Sequence, residues 1–312
     1  MISFPKDHAP HECANEWWYL GGTLKDDLSF TIVIFRNNLI KSHIWQRKLS
    51  FLPLKNCYAT IFSILEDNKF RCEVHPFCIT KTNKDRLELK IREIRLSESG
   101  NNIMIDTGGK CKLKLQFSAK NRLLHGDKGV IKMDDRGYSN YYSIVDTSVK
   151  GYLNDKEIKG FVWFDHQWGD WWFDRDCWNW FGILLDNKVQ IMIFNFYDKN
   201  RKQITPTITI KEGNKQRILN KLKIKELGYW TSPKTKTRYP VKWLLEFDKA
   251  RLIVASSNNN QEIKSLGTYL WEGSCEVNGS YKGRKIKGKG FMELTGYHHF
   301  IKGDFCEEYK RV

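Results

Sequence analysis

No run of 18 or more apolar residues occurs in the 312-residue chain, which excludes a membrane-spanning helix. With 7 prolines and 22 glycines, collagen-like and proline-rich architectures are excluded as well. The eight cysteines form no C-x-x-C pair, which argues against a zinc ribbon or a thioredoxin-type centre. They are expected to be free thiols, mostly buried, because a chain of this length can build a core without disulfides. No G-x-S-x-G, Walker A or G-x-G-x-x-G stands in a suitable context, so serine-nucleophile chemistry and nucleotide binding are disfavoured. The opening residues show no basic n-region followed by an apolar stretch. The expected location is therefore the cytoplasm or, where a leader has been removed, the periplasm or exterior.

What the chain has in excess is aromatic and basic residues: 12 Trp, 13 Tyr and 18 Phe, and a formal charge of +16. Disordered chains are poor in aromatics, so the chain is globular. The local pattern is strand throughout. LSFTIVIFR (28–36), RLELKIREIRL (86–96), KCKLKLQFS (110–118), VQIMIFNFY (189–197), VKWLLEFD (241–248) and RLIVASS (251–257) alternate with period two. Polar turns separate them, among them 25–27, Asn154-Asp155, 186–188 and 258–260. The nearest approach to a helix is 212–228, whose alternating end fits a strand equally well. The expected class is all-β, a barrel or sandwich.

Two echoes indicate an internal repeat. GYLNDKEIKGFVWFDHQWG (151–169) parallels GSYKGRKIKGKGFMELTGY (279–297), setting Gly151 on Gly279, Gly160 on Gly288, Trp163 on Phe291 and Asp165 on Glu293. EWWYLGGTLKDDLSFTIVIF (16–35) parallels NWFGILLDNKVQIMIF (179–194). Two similar β-domains, 1–168 and 169–312, account for both.

Half of the tryptophans lie in WFDHQWGDWWFDRDCWNW (163–180), interleaved with acids including Asp165, Asp170, Asp174 and Asp176. Indoles alternating with carboxyls suit a pocket with a dry aromatic wall and a few polar tips. Strand alternation puts Trp163, Asp165 and Gln167 on one face and Phe164, His166 and Trp168 on the other. If its face lines a cavity, burial would keep Asp165 protonated near neutral pH. DHAPHECANEWW (7–18) holds His8, His11, Glu12 and Glu16; the pair of histidines is read as a hydrogen-bonding element, and no metal or other cofactor is expected. His298-His299 is read the same way. In SNYYS (139–143), Tyr141 and Tyr142 point to opposite faces, and one of them is a candidate hydrogen-bond donor to a ligand. The lysines are spread over strands and turns alike, as on solvent faces and protected sheet edges. No nucleic-acid partner is expected; weak attraction to an anionic membrane surface is compatible with the charge.

DHAPHECANEWWYLGGTL, LLHGDKG with SNYYS, GFVWFDHQWGDWW with WNWFGILLDN, GYWTSPKTKTRYPVKW and YLWEGSCEVNG with ELTGY together resemble the carotenoid 1,2-hydratase and AttH-like family, in order and nearly end to end. The resemblance implies two packed lipocalin-like β-barrels, each wide enough for one small ligand. It also implies an apolar ligand of isoprenoid, polyene or lipid type, and three possible activities. The first is a hydratase, a hydro-lyase adding water to a C=C bond after protonation. The others are a pericyclase of Diels–Alderase type and a non-enzymatic carrier associated with a transporter. For hydration the catalytic candidates are Asp165, as the proton donor, His166, which with Gln167 could position water, and Tyr142, as part of the aromatic wall. The candidate ligand contacts are Trp17, Trp18, Tyr141, Trp163, Gln167, Trp168, Trp171, Trp180 and Glu293. A monomer or homodimer is expected.

Overall fold

The computed structural model describes residues 2–24, 28–38, 56–78, 80, 82–109, 111–132, 137–171, 177–198, 201–265 and 268–300. The turn at 25–27, Trp172, Asp174, Arg175, Asp176 and Cys306 lie outside the described residues. The chain divides into two units, Met1–Trp172 and Phe173–Val312. The division falls after the boundary read at 168 because the strand carrying Trp168 runs on, paired, to Asp170.

The strands of the first unit are β1 (Asn15–Leu24), β2 (Ser29–Asn38), β3 (Asn56–Glu66), β4 (Lys69–Cys78), β5 (Glu88–Ile91), β6 (Ile94–Ser99), β7 (Asn102–Thr107), β8 (Leu113–Ser118), β9 (Arg122–Leu124), β10 (Val130–Lys132), β11 (Tyr138–Leu153) and β12 (Lys156–Asp170). They form one antiparallel sheet in the order β4-β3-β2-β1-β12-β11-β8-β7-β6-β5, with β9 and β10 on β11. The second unit holds β13 (Cys177–Leu185), β14 (Gln190–Tyr197), β15 (Thr207–Glu212), β16 (Lys215–Leu219), β17 (Lys223–Thr231), β18 (Arg238–Phe247), β19 (Ala250–Ser256), β20 (Glu262–Ser265), β21 (Thr268–Tyr281) and β22 (Arg284–Thr295). Its order is β16-β15-β14-β13-β22-β21-β19-β18-β17, with β20 on β21. In both sheets the first strand pairs with the last, which pairs with the last but one. This shared connectivity is the internal repeat in three dimensions.

Each sheet curls round one apolar core, giving two barrel-like bodies. Trp18, Leu20, Phe30, Ile32, Phe62, Leu115, Tyr142, Phe164 and Trp168 point into the first. Phe181, Ile183, Ile193, Trp243, Leu252, Trp271 and Met292 point into the second. The repeat glycines serve equivalent purposes. A Cβ on Gly160 would strike the Thr23 carbonyl oxygen on β1, and one on Gly288 the Leu184 carbonyl oxygen on β13. Gly151 and Gly279 are likewise pressed against the backbones of β8 and β19. Only hydrogen fits where the long last strands cross their neighbours so closely.

Two sequence expectations change in detail. Residues 86–96 do not form one strand: a turn with Arg92 at φ 52° splits them into the β5–β6 hairpin. The apolar spacing widens from two to three between Ile91 and Ile94, which is the trace of that turn. The stretch 212–228 is the end of β15 with β16 and β17, all strands. The seven described cysteines are free, and Cys13, Cys78, Cys177 and Cys275 are buried.

Candidate functional site

Adjacent residues of a strand face opposite ways, so β12 presents two different sites on the two sides of one sheet. Core-facing Tyr142 and His166 are therefore divided by the sheet from Asp165, with which they were grouped on the sequence.

On the face turned away from the apolar core, Asp165 is 3% exposed and sits between its cross-strand partners Tyr19 on β1 and Ser143 on β11. Its carboxylate accepts hydrogen bonds from Tyr141 Oη (2.8 Å), from Trp163 Nε1 (2.8 Å) and from Ser143 Oγ. Behind Ser143 stands His125, whose Nε2 is 2.6 Å from the Ser143 oxygen and whose ring lies 4.2 Å from that of Tyr141. Burial drives the His125 imidazole down to about 3, so it is neutral and can pass a hydrogen bond to Ser143. A continuous chain thus runs from His125 through Ser143 to Asp165. Two residues along, Gln167 donates to Ser139 Oγ at 2.6 Å. Trp17, half-buried on β1, meets Trp171 edge-on at 5.3 Å and Phe35 at 6.5 Å. Asp165, Gln167, Tyr141, Trp163, Trp17 and Trp171 are therefore gathered into one buried aromatic region with a carboxylate at its centre.

The core-facing side holds a second network. Glu16 on β1 is buried, and its Oε1 takes His11 Nδ1 at 2.8 Å and His166 Nε2 at 2.9 Å. Oε2 meets Arg36 Nη1 at 3.2 Å and the His11 amide at 3.0 Å. Burial alone would raise the Glu16 carboxyl, but the hydrogen bonds from His11 and His166 outweigh it and hold it below the ordinary glutamate value. His166 is itself lowered by burial against the pull of Glu16. Tyr142 Oη lies 2.5 Å from His8 Nδ1 and 3.3 Å from His166 Nδ1. The rings stack as well: His11 on Trp168 at 4.0 Å, and Trp18 on His166 at 4.7 Å. His8, His11, Trp18, Tyr142, His166 and Trp168 thus bind the N-terminal segment to β1, β11 and β12. The ligand atoms of His11, Glu16 and His166 lie within 4.8 Å of one another, the spacing of a metal site. Both imidazole nitrogens that face Glu16, however, are engaged on a single carboxylate oxygen, and Arg36 already supplies a cation. The chemistry of the set is that of a hydrogen-bonded ion cluster.

In the second unit the repeat partner of Asp165, Glu293, sits between Trp180 on β13 and Glu272 on β21. Trp180 and Glu293 are thus neighbours on the face away from that unit's core. A concavity of about 590 Å³ lies elsewhere, beside Met104, Lys114, Gln116 and Tyr152 on β7, β8 and β11.

Sequence reasoning missed His125, Ser143, Arg36 and Glu272. Ser143 is two residues from Tyr141 and pairs with Asp165, so period two carried its signal. His125 lies just past the three-residue β9, and no periodicity marks its direction.

Among solved structures, one described as an AttH of Nitrosomonas europaea superposes with a TM-score of 0.82 at 20% identity, covering 95% of this chain and 97% of that one. Kievitone hydratase from Nectria haematococca superposes with a TM-score of 0.74 at 15% identity, covering 94% and 92%. CghA with Sch210972 gives 0.56 at 11% identity, covering 90% and 88%. No curated protein sequence gives a match. The family model described as AttH-like spans residues 1–297, and the chain belongs to the AttH-like family.

Proposed function

We propose that this protein is a hydro-lyase that adds water to a C=C bond of an apolar small molecule of isoprenoid, polyene or lipid-like type, with Asp165 as a proton-transfer group. The observation that carries the reading is the Asp165 carboxylate, buried in an aromatic region and held by Tyr141, Ser143 and Trp163. The fold shared with kievitone hydratase is in keeping with it. All three of these bonds are donated to Asp165, and an indole N–H can only donate. That pattern suits a carboxylate that receives a proton, which shifts Asp165 from the acid of the sequence reading to the base that takes a proton from the adding water. The neutral His125, donating to Ser143, keeps the Ser143 hydroxyl hydrogen turned toward Asp165. Rings of Trp163, Tyr141 and Trp17 would exclude bulk water and pack on the apolar ligand.

Two other readings use the same fold. A pericyclase needs only a shaped cavity that holds a near-attack conformer; CghA, solved with Sch210972, shares the architecture. A carrier needs only the apolar region. Incubating the protein with a host lipid extract in heavy-oxygen water, followed by mass spectrometry, separates the three. A product that has gained one water carrying solvent oxygen supports the hydro-lyase. A rearranged product of unchanged mass supports the cyclase, and a ligand recovered intact supports the carrier.

A further inference from the structure

The second unit carries an acid pair that the reading above does not use. Glu272 on β21 and Glu293 on β22 are directly opposed in the antiparallel ladder, so both side chains leave the same face side by side. Glu272 is 2% exposed. Among the described residues, no lysine, arginine or histidine makes an ion pair with either carboxyl, although the chain has 52 lysines and arginines. The two acids differ in their partners. Glu293 is hydrogen-bonded by Thr295 Oγ1 at 3.0 Å and by the Trp178 side chain. Glu272 Oε1 is buried with no hydrogen-bond partner among the described residues. The surroundings are aromatic: Trp180 is the cross-strand neighbour of Glu293, and Trp178 lies edge-on to Phe194 at 6.1 Å. The positions are equivalent, through the repeat, to Asp165 and Ser143. Where the first unit sets a hydroxyl against its carboxylate, the second sets a carboxyl.

Glu293 is half-buried beside the buried Glu272, and two carboxylates side by side at the edge of an apolar region do not readily both ionise without a cation between them. We propose that Glu272 and Glu293 share one proton, with Glu272 carrying it and Glu293 carrying the charge, and that the pair is a proton-donating site for an alkene or neutral oxygen acceptor of an apolar ligand. Burial raises both groups, Glu293 to about 7 and Glu272 well above its ordinary value, and their mutual repulsion adds to the rise at Glu272. The donor role rests on the hydro-lyase reading, and the donating acid, its partner carboxyl and the surrounding indoles all belong to the second unit. In the donating step the Glu272 O–H bond breaks as the alkene electron pair forms a C–H bond, leaving a cation on the more substituted carbon. Indole faces stabilise such a cation. Water then forms the C–O bond and releases a proton, which restores the pair, so the net change is the addition of one water.

Infrared difference titration of the full-length protein labelled with carbon-13 glutamate decides the sharing of the proton. A protonated glutamate band is expected at neutral pH and should vanish in the E272Q/E293Q double variant. Each single variant, which keeps one carboxyl, should move the remaining titration toward the ordinary glutamate range. A wild-type protein with no protonated glutamate at neutral pH, or a band unchanged in the double variant, overturns the proposal. Turnover is read separately with squalene as a probe that carries terminal trisubstituted alkenes. E272Q should slow water addition by about hundredfold or more, and turnover retained in E272Q overturns the donor role. A wild-type protein that hydrates no alkene while keeping the band refutes the hydro-lyase reading and leaves the shared proton standing.

Discussion

Lowering the pH from 7 to 5 should destabilise the first unit through His8 and His125. Both imidazoles are held down to about 3, His125 by burial and His8 by burial and then by repulsion from His166 and Arg122. In the unfolded chain each would titrate at its ordinary 6.5. A group whose folded value is depressed binds its proton preferentially in the unfolded state, so stability is lost as the pH falls below the unfolded value. Below 6.5 each histidine costs about 1.4 kcal/mol per pH unit. Between pH 7 and 5 that amounts to about 2 kcal/mol for each and about 4 kcal/mol for both. His166, also lowered, acts in the same direction. Glu16 acts later: its depressed carboxyl contributes stability above the ordinary glutamate range, and that contribution is lost only as the pH falls through its folded value. Amide hydrogen exchange read peptide by peptide is the suitable assay, because it reports each unit separately. Protection of β9, β11 and β12 should fall between pH 7 and 5 by the equivalent of several kcal/mol, after correction for intrinsic exchange. In a His125→Asn variant the pH-dependent part should shrink by about 2 kcal/mol. Equal protection at the two pH values, or an undiminished pH dependence in that variant, would refute the reasoning.

The ion cluster and the repeat give further expectations. Glu16→Gln keeps the shape but leaves Arg36 buried beside a neutral amide, and should cost about 3–5 kcal/mol in chemical denaturation of the first unit. The loss should be insensitive to added salt, because the pair is buried. Gly160→Ala and Gly288→Ala should each destabilise their own unit by about 1–3 kcal/mol, seen as loss of protection confined to that unit. Trp243→Ala, in the core of the second unit, should cost about 3–5 kcal/mol by the same measurement and leave the first unit unchanged.

The fold was legible in the sequence because period-two alternation and the paired glycines are local signals. Gly151, Gly160, Gly279 and Gly288 carried the repeat alignment, and the two echoes placed the last strand of each unit in register with the other. The aromatic region around Asp165 was legible for the same reason, since Trp163, Asp165 and Gln167 alternate on one strand. What the sequence hid was which rows lie side by side. Glu16 meets His166 across the β1–β12 ladder, a separation no local pattern spans. Arg36 reaches the same carboxylate from β2, and His125 reaches Ser143 from the loop after β9. The role of Asp165 was hidden for a different reason: burial could be inferred from the aromatic block, but the donors that fill its oxygens come from β11 and from Trp163 on its own strand. The pairing of Glu272 with Glu293 likewise depends on register, which shifts by one residue at the β11 bulge between Asp146 and Val149 and so displaces the repeat alignment there.

The most direct test of the proposed activity is the Asp165→Asn variant, assayed in heavy-oxygen water against whichever apolar ligand the wild-type protein hydrates. Water addition should fall by about hundredfold or more while the affinity for the apolar ligand is kept, because the amide keeps the shape of the site but cannot accept the proton. Undiminished water addition by the variant would contradict the account.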